Sequence, residues 1–187
     1  MAEEAIVFVD RQGRPTGKTG PKLESHTATT QLHLAFSCYV FNSKGQHLVT
    51  RRAYNKKVWP GVLTNSVCGH PAPGEDIEHA IRRRAAYELG LKIAGITCIL
   101  PRYTYRTPPF QGIIENEFCP VYTAIAQNKL QPNPKEVAEY IWLDWRDYAA
   151  ALQTNAHEYS YWAKDQYNYL SASKQFADWL TSIEATQ

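Results

Sequence analysis

No apolar run in this sequence reaches the ~20 residues that a bilayer-spanning helix requires. The start, MAEEAIVFVD, is acidic where a secretory leader would carry a basic region, so a cytoplasmic protein without a membrane partner is the expectation. The four cysteines, Cys38, Cys68, Cys98 and Cys119, stand singly. They form no CxxC pair of the kind used by a zinc knuckle or a dithiol redox centre, and single reduced thiols fit best. Charge of one sign is also scarce: 20 Lys and Arg against 18 Asp and Glu leave a net +2, too little for an electrostatic hold on nucleic acid. Any anionic partner should therefore be small. The sequence has no internal repeat, no low-complexity tract and no linker. Its 187 residues, 44% of them hydrophobic, predict one core and one domain over residues 1–187, as a monomer or weak homodimer.

The order of elements comes from periodicity and turn residues. AIVFVD followed by RQGRP predicts a strand and a turn, and HLAFSCYVF with HLVTRRA around NSKGQ predicts a hairpin turning at Gly45. Ile77, Ala80, Ile81, Ala85 and Leu89 recur at helical spacing within 76–89, with Gly90 as the stop. Further strands are predicted at 97–106, 113–124 and 137–142, and an aromatic helix over about 161–183. Strands before and after a helix predict an α/β (α+β) fold, a mixed sheet packed between helices.

Chemistry-bearing residues fall into four groups. Glu115 and Glu117 are two apart in a predicted strand, so both carboxylates leave the same face. Close carboxylates repel, and a bound cation or a retained proton relieves them; spacing alone fits a solvated strand face as well. His26, His33 and His70 with these carboxylates could fill most of an octahedral shell, although each histidine singly fits a surface role. A basic group, Arg51, Arg52, Lys56 and Lys57 with Lys22 and Arg83, has the chemistry for a diphosphate, while singly each fits a solvated charge. The fourth group is the helix after the turn TNSVCGHP, with Arg84 and Glu88 spaced to form an i,i+4 ion pair on it.

Gly69, Glu75, Arg83, Ala85, Glu88, Gly90 and Leu91 resemble a degraded Nudix box, G-x5-E-x7-R-E-U-x-E-E-x-G-U, in which U is apolar. Arg84 and Tyr87 stand where the box has two of its glutamates, so the carboxylate cluster that holds hydrolytic metals is depleted and only Glu88 remains. Together with HTATTQLHLAF, TRRAYNKKVWPGVLTNSVCGHP and ENEFCPV, this helix resembles the type 1 isopentenyl-diphosphate delta-isomerases, a Nudix-fold family. The likeness covers residues 17–162 and implies a Nudix-like core over about 30–165, extended by an N-terminal strand and turn and a C-terminal helix. The implied activity is reversible isomerisation of isopentenyl diphosphate to dimethylallyl diphosphate.

The resemblance also implies roles. His26, His33, His70, Glu115 and Glu117 match ligands of a divalent metal, Mn²⁺ or Mg²⁺ with Zn²⁺ as an alternative occupant. Glu88 matches the ligand of a second Mg²⁺ that bridges to the diphosphate. Cys68 and Glu117 match the catalytic pair, and Tyr105 a tyrosine bonded near Glu117. Lys22, Arg52, Lys56 and Arg83 match substrate contacts, as does Trp162, an indole over the hydrocarbon. Two alternatives remain, a Nudix hydrolase of nucleoside diphosphate derivatives and a non-catalytic metal-stabilised binding module; the first would keep the full carboxylate cluster, and the second would not need Cys68.

Overall fold

The computed structural model describes residues 4–185 of the 187; the first part of the acidic start and the last two residues of the single-domain span lie outside them. In chain order the strands are β1 Ala5–Val9, β2 Pro15–Pro21, β3 His33–Leu34, β4 Phe36–Phe41, β5 His47–Arg52, β6 Leu63–Thr64, β7 Val67–Gly69, β8 Ile93–Leu100, β9 Thr104–Arg106, β10 Asn116–Phe118, β11 Val121–Ala126 and β12 Val137–Leu143. The helices are α1 Lys22–Ser25, α2 Ile77–Leu89, α3 Trp145–Thr154, α4 Tyr161–Ser171 and α5 Lys174–Glu184.

A five-stranded sheet runs β2-β1-β3-β10-β9, and a second sheet has the order β12-β5-β4-β11-β8, with β6 on β5 and β7 on β4. The pairs β3–β10 and β4–β11 are parallel, so the sheets are mixed. Each half of the core uses one face of the larger sheet. On β4, Phe36, Cys38 and Val40 pack with Ala80, Ile81, Ala85 and Leu89 of α2, while Tyr39 and Phe41 pack with Tyr148, Leu170 and Phe176 of α3 to α5. A strand covered on both faces is apolar throughout, which is why HLAFSCYVF shows no alternation.

α2 begins at Asp76, whose carboxylate accepts from the backbone N–H groups of Glu78 and His79, and ends at Gly90 in the left-handed conformation (φ 61°) that glycine adopts without strain.

Several predicted elements divide. The hairpin holds together only at Phe41 and His47; beyond its tip the strands part, and the segment 63–69 fills the fork, pairing with β5 and then β4. Strand 97–106 becomes β8 and β9, separated by a turn at Pro101, and strand 113–124 becomes β10 and β11, separated at Pro120. Proline has no N–H to continue a ladder, so each break lets the chain pass from one sheet to the other. The C-terminal helix divides into α4 and α5, because the Ser173 hydroxyl accepts from the Phe176 N–H and starts a new helix. The strand predicted over 33–41 divides at Ala35 into β3 and β4, and α1, α3, β2, β6 and β7 lie outside the predicted elements.

The chain crosses between the sheets three times, at Ala35, at Pro101–Tyr103 and at Cys119–Pro120. Backbone bonds from Ala35 N–H to the Phe118 carbonyl (2.9 Å) and from Cys119 N–H to the Tyr103 carbonyl (2.9 Å) tie these crossings into one seam.

Candidate active site

The register of the small sheet assembles one wall of the site. Glu117 of β10 pairs with His33 of β3 on one side and with Tyr105 of β9 on the other. Residues directly opposite in a ladder share a face, so carboxylate, imidazole and phenol converge. The Tyr105 hydroxyl donates to Glu117 Oε2 at 2.8 Å, and His70 Nε2 lies 3.1 Å from Glu117 Oε1. His33 Nε2 stands 3.7 Å from the same oxygen and 3.2 Å from His70 Nε2.

One ligand atom from each of His26, His33, His70 and Glu117 can be chosen so that all lie within 4.8 Å of one another. Glu115 precedes β10 by one residue rather than sharing the predicted strand, and its Oε2 lies 3.1 Å from His26 Nε2.

The far sides of two rings define the near sides. His26 Nδ1 faces the Lys22 carbonyl, and His33 Nδ1 faces the Gln31 carbonyl at 2.9 Å. A nitrogen against a carbonyl must carry the proton, which leaves Nε2 of each ring as a lone pair turned into the cluster. With His26 neutral, its Nε2 and Glu115 Oε2 are two acceptors at close approach and that buried oxygen receives no hydrogen bond; burial opposes a charge on the ring but Glu115 raises its imidazole, so a proton or a cation between them relieves the pair. A divalent cation satisfies such a donor set, with imidazole nitrogens and carboxylate oxygens suited to mid-series ions.

Burial pushes the His70 imidazole down to about 4, keeping it neutral and ligand-competent near pH 7. Burial opposes ionisation of Glu117, but the neighbouring His33 and His70 imidazoles hold its carboxyl well below the usual carboxylate range.

A cavity of about 390 Å³ opens beside this wall. Cys68 enters it from β7, where it pairs with Ser37 of β4 in the other sheet. The Cys68 S–H donates to Asn65 Oδ1 (3.0 Å), and burial pushes the thiol up to about 12, so it is protonated at neutral pH. Trp162, buried on α4, also lines the cavity, and its Nε1–H donates to the Thr64 hydroxyl (2.8 Å). Trp59 stands edge-on to it (5.9 Å between centroids) and stacks on Phe110 (4.6 Å).

Lys22, Arg52, Lys56, Arg84 and Glu88 line the same cavity. Arg52 also fastens the loop before it, donating to the Val58 and Trp59 carbonyls. Arg83, which the resemblance matches to a substrate contact, turns its guanidinium to Glu75 (2.6 and 2.8 Å) and the His70 carbonyl here, while its neighbour Arg84 lines the cavity. Arg84 donates to Glu88 (2.8 Å), Glu136 (3.3 Å) and Glu4 (3.1 Å), so the Arg84–Glu88 ion pair forms inside the cavity rather than on the surface. Lys56 also bonds Glu136, and Lys22 bonds Glu4 (2.6 Å). Arg51 is held away by Glu139 and Glu158. Burial raises the Glu88 carboxyl, against the pull of Arg84. Of the remaining cysteines, Cys38 and Cys119 are buried as expected, while Cys98 is only half-buried.

A NUDIX domain model matches residues 31–165. The isopentenyl-diphosphate Delta-isomerase of Kocuria rhizophila is 50% identical over 163 residues, covering 87% of this chain and 90% of that protein. That of Salmonella agona is 45% identical over 179 residues, 96% of this chain and 98% of that protein. The chain belongs to the isopentenyl-diphosphate Delta-isomerase family, within the Nudix fold. A crystal structure of a Deinococcus radiodurans protein superposes with a TM-score of 0.66 at 21% identity, covering 91% of this chain and 99% of that one. The MutT protein of Methanosarcina mazei gives 0.57 at 16%, covering 74% and 91%. These two likenesses concern the fold. In this family member the box helix survives as α2, with Arg84 and Tyr87 in place of two box glutamates.

Arg84 was visible in the sequence as a departure from the box and as a partner spaced for Glu88, without a link to the cavity. Asn65 and Glu136 carried no separate signal, since a Cys-to-Asn contact three residues back and a carboxylate 48 residues beyond Glu88 depend on the folded chain.

Proposed function

We propose that the chain catalyses the reversible isomerisation of isopentenyl diphosphate to dimethylallyl diphosphate. The observation that carries this reading is one cavity lined by a thiol, Cys68, from one sheet and a carboxylate, Glu117, from the other, with burial favouring the protonated thiol and the neighbouring imidazoles favouring the carboxylate anion. Moving the double bond by one carbon adds a proton to the terminal alkene carbon and removes one from the methylene on the far side of the double bond. Such a transfer needs one group that holds a proton and one that lacks it. On reversal the two exchange roles.

Tyr105, donating to Glu117 Oε2, keeps that carboxylate aimed while Oε1 faces the histidines. Protonation leaves positive charge at a tertiary carbon, which water would trap. The buried indole of Trp162 excludes water and offers an aromatic face to the cation. Lys22, Arg52, Lys56 and Arg84 supply cationic donors for the diphosphate.

His26, His33, His70, Glu115 and Glu117 would hold a divalent ion, Mn²⁺ or Mg²⁺ with Zn²⁺ as an alternative, and Glu88 would hold a Mg²⁺ at the diphosphate end of the cavity. When bound, these ions neutralise clustered carboxylate and phosphate charge. The depleted box argues against diphosphate hydrolysis, since Arg84 places a cation where a hydrolase holds metal-binding carboxylate.

The test incubates metal-loaded protein with isopentenyl diphosphate and measures dimethylallyl diphosphate beside inorganic phosphate. Isomer without phosphate is expected, and its rate should fall by ~10²–10⁴-fold in both Cys68→Ala and Glu117→Gln. Phosphate release without isomer would overturn the proposal.

A further inference from the structure

The thiol of Cys68 has a second polar partner whose arrangement is built from deep in the core. Ser37, 1% exposed on β4, places its Oγ 3.3 Å from Cys68 Sγ and 3.5 Å from Cys119 Sγ. Gln166, fully buried on α4, donates from Nε2 to Ser37 Oγ at 2.9 Å. The amide is oriented by Tyr39, whose hydroxyl donates to Gln166 Oε1 at 3.2 Å. Because its oxygen faces a phenol O–H, the nitrogen must face Ser37. Ser37 therefore accepts from Gln166, and a hydroxyl that already accepts has its single proton free for the nearer sulfur.

On the other side of Cys68, the Asn65 amide has its nitrogen toward the Cys38 and Val67 carbonyls (3.5 and 3.3 Å), so its oxygen is left to accept the thiol proton. The sulfur thus lies between an assigned donor and an assigned acceptor.

We propose that Ser37, held by Gln166, is a positioning residue for Cys68: it directs an O–H at the sulfur while Asn65 takes the S–H. The inference rests on the acid/base reading of Cys68 above. When Cys68 gives its proton to the alkene carbon, the S–H bond breaks, the C–H bond forms and the electron pair stays on sulfur. The Ser37 hydroxyl is already directed at that pair, and in the reverse transfer the same bond weakens as sulfur regains its proton. Gln166 lies one turn beyond Trp162 on α4, so one helix supports both the indole facing the cavity and the hydroxyl behind the thiol.

Steady-state kinetics on isopentenyl diphosphate with Ser37→Ala, Gln166→Met and the double variant, each metal-loaded and checked for folding by circular dichroism, tests this. Ser37→Ala is expected to lower kcat by ~10-fold or more with KM within about twofold, the loss of a hydrogen bond to a group that becomes charged. Gln166→Met should lower kcat in the same direction, and the double variant should fall no further than Ser37→Ala, because Gln166 acts through Ser37. Should Ser37→Ala fail to fold, Gln166→Met decides by the same split. Unchanged kcat in a folded variant, or losses that multiply, would overturn the inference. Cys68→Ala run in parallel separates the two levels: an active Cys68→Ala removes the acid/base role itself, whereas an inactive Cys68→Ala beside an unaffected Ser37→Ala removes only the positioning role.

Discussion

Arg83 and Arg84 are neighbours in sequence, but successive residues on a helix point about 100° apart, and one turns to Glu75 while the other enters the cavity. The two guanidiniums therefore do different work. Arg84→Gln removes a cation that lines the diphosphate end of the proposed site, and KM for isopentenyl diphosphate is expected to rise by ~10–100-fold, the worth of a charge-assisted hydrogen bond. Arg83→Gln should leave KM within about twofold and act instead on stability, since Glu75 loses the partner that holds its carboxyl down at about 2. Comparing KM and thermal midpoint for the two variants checks both. Equal effects on KM would return Arg83 to the substrate. Sequence spacing does not tell which of two adjacent arginines lines the cavity, because that depends on how α2 is rotated against β7, and no local signal reports it.

At the scale of elements, the site depends on how closely β7 approaches α2. A Cβ added to Gly69 would stand 3.0 Å from Arg84 Cγ and 3.2 Å from Phe36 Cζ, between strand, helix and core. Gly69→Ala should destabilise the protein by ~1–3 kcal/mol through overpacking, and raise KM as Arg84 is displaced. Urea denaturation beside steady-state kinetics measures both effects, and a variant unchanged in each would show that the helix yields without cost.

Element type was legible where periodicity was strong. α2, with its cap at Asp76 and stop at Gly90, lies where its apolar spacing placed it. The divisions at Pro101 and Pro120 were less legible, although each proline was visible, because an uninterrupted apolar run hides which residue leaves one sheet for the next. Within the site, Glu115 and Glu117 are joined by local spacing. His33, Tyr105 and Glu117 are joined by strand register between segments far apart in sequence, which only the likeness to a family supplied beforehand.

For the molecule as a whole, the aromatic core among the described residues holds a buried imidazole in which neither nitrogen is satisfied. His47 is fully buried among Tyr39, Phe41, Trp145 and Tyr148, stacked on Tyr39 at 4.9 Å, and neither ring nitrogen has a hydrogen-bond partner. Burial pushes its imidazole from 6.5 down to about 3. The unfolded chain therefore binds a proton between these values that the folded protein refuses, and stability must decline as pH falls from 6.5 toward 3. Each pH unit in that window costs about 1.4 kcal/mol, so by pH 4 His47 alone removes stability of the order of 3 kcal/mol. His47→Phe keeps an aromatic ring in the cluster and removes both the titration and the two unpartnered nitrogens. The variant should gain about 1–3 kcal/mol at pH 7 if the larger ring is accommodated. Its advantage over the parent should widen between pH 6.5 and pH 4, because the other carboxylates and histidines are common to both proteins and cancel in the difference. Urea midpoints at pH 7, 5.5 and 4 for the pair measure it; a constant difference across that range would mean that His47 gains a proton without unfolding the aromatic core.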